Sequence, residues 1–117
     1  MSTPLLIEFG MGTSLRRADY TEAAARAIKD ALWRNSINLA ELFDKPKTAM
    51  SICAVVGVQK PEEVDCDALK ALFPYGQIFI HATNGGLDLP RPAHEPSGGA
   101  PTVIANVALK VSLQGVA

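Results

Sequence analysis

The chain reads as a single α/β domain of the α+β type, ordered β-α-β-α-β-β, with two helices on one face of a four-stranded mixed sheet. Three observations predict this. The run 48–58, TAMSICAVVGV, has no charge and is apolar or small at both alternating sets of positions, as in a strand buried on both faces. Residues 20–35 place Ala24, Ala27, Ile28, Ala31 and Leu32 at i, i+3, i+4, i+7 and i+8, a single apolar stripe on a helix. That helix lies between two strand patterns, and right-handed parallel crossovers put both helices on the same side of the sheet.

Residues 4–9 form the first strand, with Leu5, Leu6, Ile7 and Phe9, and run into the spaced glycines Gly10 and Gly12. Asp19 is a good N-cap for the main helix, and Glu22 three residues on makes a capping box. Trp33 lies off the apolar stripe, and Asn38–Phe43 has the pattern of one helical turn before Lys45-Pro46. The second helix spans 66–73, capped by Asp65 and ended by Pro74, with Leu69, Leu72 and Phe73 as its apolar contacts. Gln77–Thr83 and Thr102–Leu113 supply the third and fourth strands. Between them, 84–101 carries four of the eight prolines and four of the nine glycines. A loop of that length is either a stiff hairpin tip or a lid or intersubunit arm.

The 117 residues fit one domain, 1–117, able to bury roughly two thirds of its unfolded surface. The composition, 48% hydrophobic and 20% charged, is that of a globular protein. A net charge of −1 argues against a general nucleic-acid or anionic-membrane binder, which needs a basic excess. There is no apolar run of membrane-spanning length and no basic, cleavable leader in MSTPLLIEF, so a cytoplasmic location is expected. Cys53 and Cys66 lack metal-motif spacing and read as reduced thiols. No metal or cofactor is expected.

The candidate ligand residues begin where the first strand meets the helix. A strand ending in spaced glycines before a helix is a place where backbone N–H groups converge on a ligand, and Arg16 and Arg17 suit a carboxylate or phosphate. His81 sits mid-strand on the face of Phe79 and Thr83, as a packed residue or an acid–base group. Lys110 shares a face with Asn106 and Ser112. Were the first and last strands neighbours, Glu8 and Lys110 would be placed for a cross-strand ion pair. Alternatively, Lys110 and Asn106 line an intersubunit cleft. Ser97-Gly98-Gly99 has no positioned base to make the serine a nucleophile.

The segments IEFGMGTSLRRADYTEAAARAIKDALWRNS, AVVGVQKPEEVD and ALKALFPYGQIFIHATNGGL resemble the Lin hypothetical-protein family, small bacterial proteins of unknown function, over most of residues 5–87. That resemblance implies an N-terminal G-x-G-x-D-x-H-G pattern. Here Gly10 and Gly12 match, whereas Ser14, Arg16 and Arg17 stand at its Asp, His and last Gly positions. An Asp and a His two apart can serve as an acid–base pair or as metal ligands, and Ser and Arg cannot replace them. The element order is also similar to the trimer fold of the bacterial-type chorismate mutases and RidA-like imine deaminases, and to one repeat of the ring-opening amidohydrolases. That similarity implies trimers with ligand clefts between subunits.

One face of the sheet has no helices, yet the second strand is apolar on both sides. The expectation is therefore self-association, as a trimer or an assembly built from trimers, with the helix-free face inside. Two functions are consistent with these residues. One is binding of, or action on, a small anionic molecule at a subunit interface, using Gly10, Gly12, Ser14, Arg16, Arg17, His81, Asn106 and Lys110. The other is a non-catalytic subunit working beside a paralogue that keeps the intact pattern.

Overall fold

The structure, a computed structural model, describes residues 4–15, 17–34, 44, 46–90 and 100–113. Its elements are β1 (Leu6–Ser14), α1 (Tyr20–Arg34), β2 (Met50–Val58), α2 (Cys66–Lys70), β3 (Gln77–Asn84), β4 (Leu87–Leu89) and β5 (Thr102–Leu113), with short 3-10 turns at Lys47–Ala49 and Pro61–Glu63. The strands form one five-stranded mixed sheet in the order β1-β5-β2-β3, with β4 pairing β5. β5 runs antiparallel to both β1 and β2, and β2 runs parallel to β3. The long last strand thus separates the two strands that α1 connects.

The α+β class and the mixed sheet with two helices agree with the sequence reading, and three details differ. β1 does not stop at Phe9: it continues through Gly10 and Gly12 to Ser14, so these glycines are strand residues and not a loop. α2 ends at Lys70, where the chain tightens into i→i+3 bonds from Leu72 N–H to Leu69 and from Phe73 N–H to Lys70. A fifth strand, β4, lies inside the stretch expected to be structureless. The expected helical turn at Asn38–Phe43 lies outside the described residues.

Alternation splits the sheet into two unlike surfaces. The even positions of β1 and β2 and the odd positions of β5 face the helices. There Ile52, Ala54, Val56, Leu109 and Val111 are 0–3% exposed and pack with Ala23, Ala24, Ala27, Ile28 and Ala31 of α1 and with Leu69 and Phe73. α1 lies unusually close to β1. A Cβ on Gly10 would stand 2.3 Å from the Ala27 carbonyl oxygen, and one on Gly12 2.3 Å from the Ala27 nitrogen and 2.4 Å from the Ala23 carbonyl oxygen. Alanines on the helix and glycines on the strand together permit this backbone contact, which any side chain would hold apart.

Local hydrogen bonds set where α1 begins. The Asp19 carboxylate accepts the Glu22 N–H at 2.9 Å, as an N-cap should. The reciprocal half of the expected capping box is absent. Ser14 Oγ accepts the Asp19 N–H at 3.2 Å, and the Glu22 carboxylate turns outward to Arg26 at 2.7 Å and Arg17 at 3.3 Å. Asp65 caps α2 by accepting the Ala68 N–H at 3.1 Å.

Candidate functional site

The helix-free face of the sheet is built from Ile7, Phe9, Met11 and Thr13 of β1, Thr102, Ile104, Asn106, Ala108, Lys110 and Ser112 of β5, Ser51, Cys53, Val55 and Gly57 of β2, and Gln77, Phe79, His81 and Thr83 of β3. Register aligns these into rows across the strands. Ile7, Lys110, Cys53 and Phe79 form one row, Phe9, Ala108, Val55 and His81 the next, and Met11, Asn106, Gly57 and Thr83 a third. Small residues occupy the centre, and large apolar ones stand around it: Phe9 is 68% exposed, Phe79 56% and Met11 54%. Leu87 and Leu89 of β4 extend the same face.

The candidate ligand residues divide between the two surfaces. Lys110, Asn106 and His81 are exposed and share the helix-free face, in three adjacent rows. His81 stands two strand spacings, roughly 10 Å, from β5, so the three surround a common patch and do not bond to one another. Gly10, Gly12 and Ser14 face the opposite way. The glycines lie beneath α1, and Ser14 is 1% exposed with its hydroxyl oxygen occupied by the Asp19 N–H. Arg17 is exposed and paired with Glu22. Arg16, His94, Glu95 and Ser97-Gly98-Gly99 lie outside the described residues.

Glu8 and Lys110 do not form the cross-strand pair. The strands are neighbours, but Glu8 is opposite Leu109 and Lys110 is opposite Ile7, so the two charges project from opposite faces. The helix-free face consequently carries no carboxylate among its described strand residues. Among those residues Lys110 is the one permanent charge, directly across from Cys53. The Cys53–Lys110 juxtaposition was not foreseen from sequence. Its signal was the shared alternation of the two strands, which becomes informative only once their register is known.

A second polar arrangement joins the layers. Tyr20, 4% exposed at the start of α1, donates its hydroxyl to Asp88 Oδ2 of β4 at 2.5 Å. Burial, and then the Asp88 carboxylate, push the phenol up from its ordinary 10.0 to about 12. Asp88 Oδ1 is buried with no hydrogen-bond partner. Among the described residues no cluster of three or more His, Cys, Asp or Glu side chains is arranged to hold a metal, and no helix is long and apolar enough to cross a membrane.

Fold and face together define a small α+β protein with an open-faced mixed sheet. The chain belongs to the conserved hypothetical protein family Lin0512_fam, whose model matches residues 4–111. It is similar to the crystal structure of an FtsZ-like protein of unknown function from Nostoc punctiforme, with 28% identity over 94% of each chain and a TM-score of 0.84. No curated protein matches the chain.

Proposed function

We propose that the chain works as a homo-oligomer, trimeric or built from trimers, whose helix-free sheet faces lie inside, and that a small anionic molecule is held there by Lys110 with help from Asn106 and His81. The observation that carries this reading is a single cation, among the described strand residues, on a face where the large apolar side chains Phe9, Met11 and Phe79 stand exposed. Four strands about 4.8 Å apart and seven residues long present roughly 450 Å² in projection, as large as the patches monomers keep exposed for a functional reason. Covering Phe9, Met11 and Phe79 with another copy removes apolar surface from water. It also removes Lys110 from water, on a face whose described strand residues offer no carboxylate. A buried ammonium needs a counter-charge, and a ligand carboxylate or phosphate supplies one. Asn106 can donate to the same anion, and His81 can donate or move a proton. Arg16 and Arg17, which precede α1 in sequence, remain a separate candidate anion site.

A thermal-shift series of small carboxylates and phosphates tests this. An anion that raises Tm for the wild type should do so less for Lys110→Ala, because ligand binding to the native state alone stabilises by mass action. A shift that survives Lys110→Ala and is lost in Arg17→Ala would move the site to the helix start. Absence of any shift would remove the ligand from the reading.

A second reading rests on Ser14. Ser14 stands at the Asp position of the pattern that the family resemblance implies; it is buried, and its hydroxyl oxygen accepts the Asp19 N–H ahead of α1. A chain without that acid is suited to serve as the non-catalytic subunit beside a paralogue. Co-purification of a chain carrying the intact pattern would support this reading, and a homogeneous single-chain assembly would oppose it.

A further inference from the structure

The two edges of the sheet are treated differently. At the β1 edge, Asp30 Oδ2 accepts the Met11 N–H at 2.9 Å, and Arg26 Nη1 donates to the Thr13 carbonyl oxygen at 2.7 Å. Two side chains of α1 thus take the places that a neighbouring strand would occupy, which is one way an edge is closed to further pairing. Among the described residues the β3 edge has no such guard. β3 is the terminal strand of the sheet path, and among the described residues no group bonds to its outer side. Its eight residues, QIFIHATN, include no charge and no proline, the usual deterrents on an exposed edge.

The helix layer also stops short over β3. α2 has five residues, and Ile78 and Ile80 beneath it stay half-buried, whereas Ile52 and Ala54 in the adjacent strand are 3% and 0% exposed. Among the described residues β3 is therefore left uncovered at its edge and only partly covered on the helix side.

We infer that β3 is a seam along which a second copy of this chain adds its own β3, antiparallel about a two-fold axis at Ile80. The alternation restricts the register. Residues directly opposite in an antiparallel pair share a face, so the two-fold must fall on a residue and not between residues. Placed at Ile80, it sets Phe79 against the partner's His81, Gln77 against the partner's Thr83, and Ile78 against the partner's Ala82. The half-buried Ile80 side chains then meet, and the half-covered helix layer continues into that of the partner. Placed at His81, it would oppose two imidazoles. Placed at Phe79, it would leave Ala82, Thr83 and Asn84 unpaired. The occupant is a second copy because the strand complements itself: uncharged polar residues lie at its ends, and Ile78, Phe79, Ile80 and Ala82, with His81 among them, at its centre. This seam is distinct from the helix-free face and does not depend on the ligand reading.

The test uses light scattering after gel filtration, with circular dichroism to verify folding. Gln77 and Thr83 are both exposed, so charges there spare the core. Gln77→Glu with Thr83→Glu opposes carboxylates across the seam and should halve the mass of the particle. Gln77→Lys with Thr83→Glu opposes unlike charges and should keep the wild-type mass, although it adds as many charges to the helix-free face. A Glu/Glu variant at wild-type mass, two double variants that dissociate alike, or a wild type that is a monomer or a plain trimer would each overturn the inference. Should the Glu/Glu variant not fold, Ile80→Cys with Cys53→Ser and Cys66→Ser decides. Oxidation should give a covalent dimer through the residue on the axis, and failure to cross-link refutes this register.

Discussion

Gly12→Ala is the sharpest test of how α1 sits on the sheet. The added Cβ would lie 2.3 Å from the Ala27 nitrogen and 2.4 Å from the Ala23 carbonyl oxygen, both helix backbone atoms. Ordinary non-bonded separation is about 3.5 Å, so α1 must lift by roughly 1 Å or β1 must bow. No flexible side-chain end is available to swing aside. Overpacking of this kind costs about 1–3 kcal/mol, and a rigid helix places it near the upper end. Restricting the unfolded chain by replacing glycine returns about 0.5–1 kcal/mol. The net expectation is a loss of about 2 kcal/mol, or a Tm lower by roughly 8 °C for a domain of this size. Urea unfolding followed by circular dichroism measures it, with protomer concentration held fixed because assembly contributes to apparent stability. Gly57→Ala is the control. Its Cβ would meet the Gly85 Cα at 3.2 Å, a contact that a few tenths of an ångström relieve, so its cost should stay under about 1 kcal/mol. A Gly12→Ala protein as stable as wild type, or one less affected than Gly57→Ala, would show that the close helix–strand contact is wrong and return these glycines to a ligand role.

The remaining predictions concern the helix start, the layer contact and the guarded edge. Asp19→Ala removes the N-cap and should cost about 1 kcal/mol in the same unfolding assay, with Asp19→Asn close to wild type; equal losses would point to the charge instead of the cap. The Tyr20 phenol is raised in the folded state, so folding favours its neutral form. That contribution is complete below about pH 10 and is lost as pH rises through about 12. Stability measured from pH 8 to 12 should fall more steeply for the wild type than for Tyr20→Phe, and parallel curves would contradict the assignment. Asp30→Ala releases the Met11 N–H at the sheet edge and should cost about 1 kcal/mol. It should also increase concentration-dependent association, read by light scattering, because it reopens that edge; unchanged association would mean that the guard is not needed.

Much of the architecture was readable in one dimension because it depends on local period and punctuation. The apolar stripe of α1, the caps Asp19 and Asp65, and the uncharged run of β2 each act through neighbours a few residues away. The helix-free face also followed from pattern, since β2 is apolar on both sides and the helices lie on one. The sequence reading made the spaced glycines a ligand turn, but the same pattern also serves as room for a helix to press on a strand. Only the position of Ala23 and Ala27 over Gly10 and Gly12 chose the second. The same holds for charge. Glu8 and Lys110 are on neighbouring strands, and a single step of register decides whether they face each other or project from opposite sides. β4 was missed because three residues carry too little periodicity, and their pairing with β5 is fixed by a partner strand distant in sequence. Period and capping are properties of the chain itself. Which side of the sheet holds the lone lysine, which edge α1 guards and which edge it leaves open arise from contacts between distant segments, and only the folded arrangement decides them.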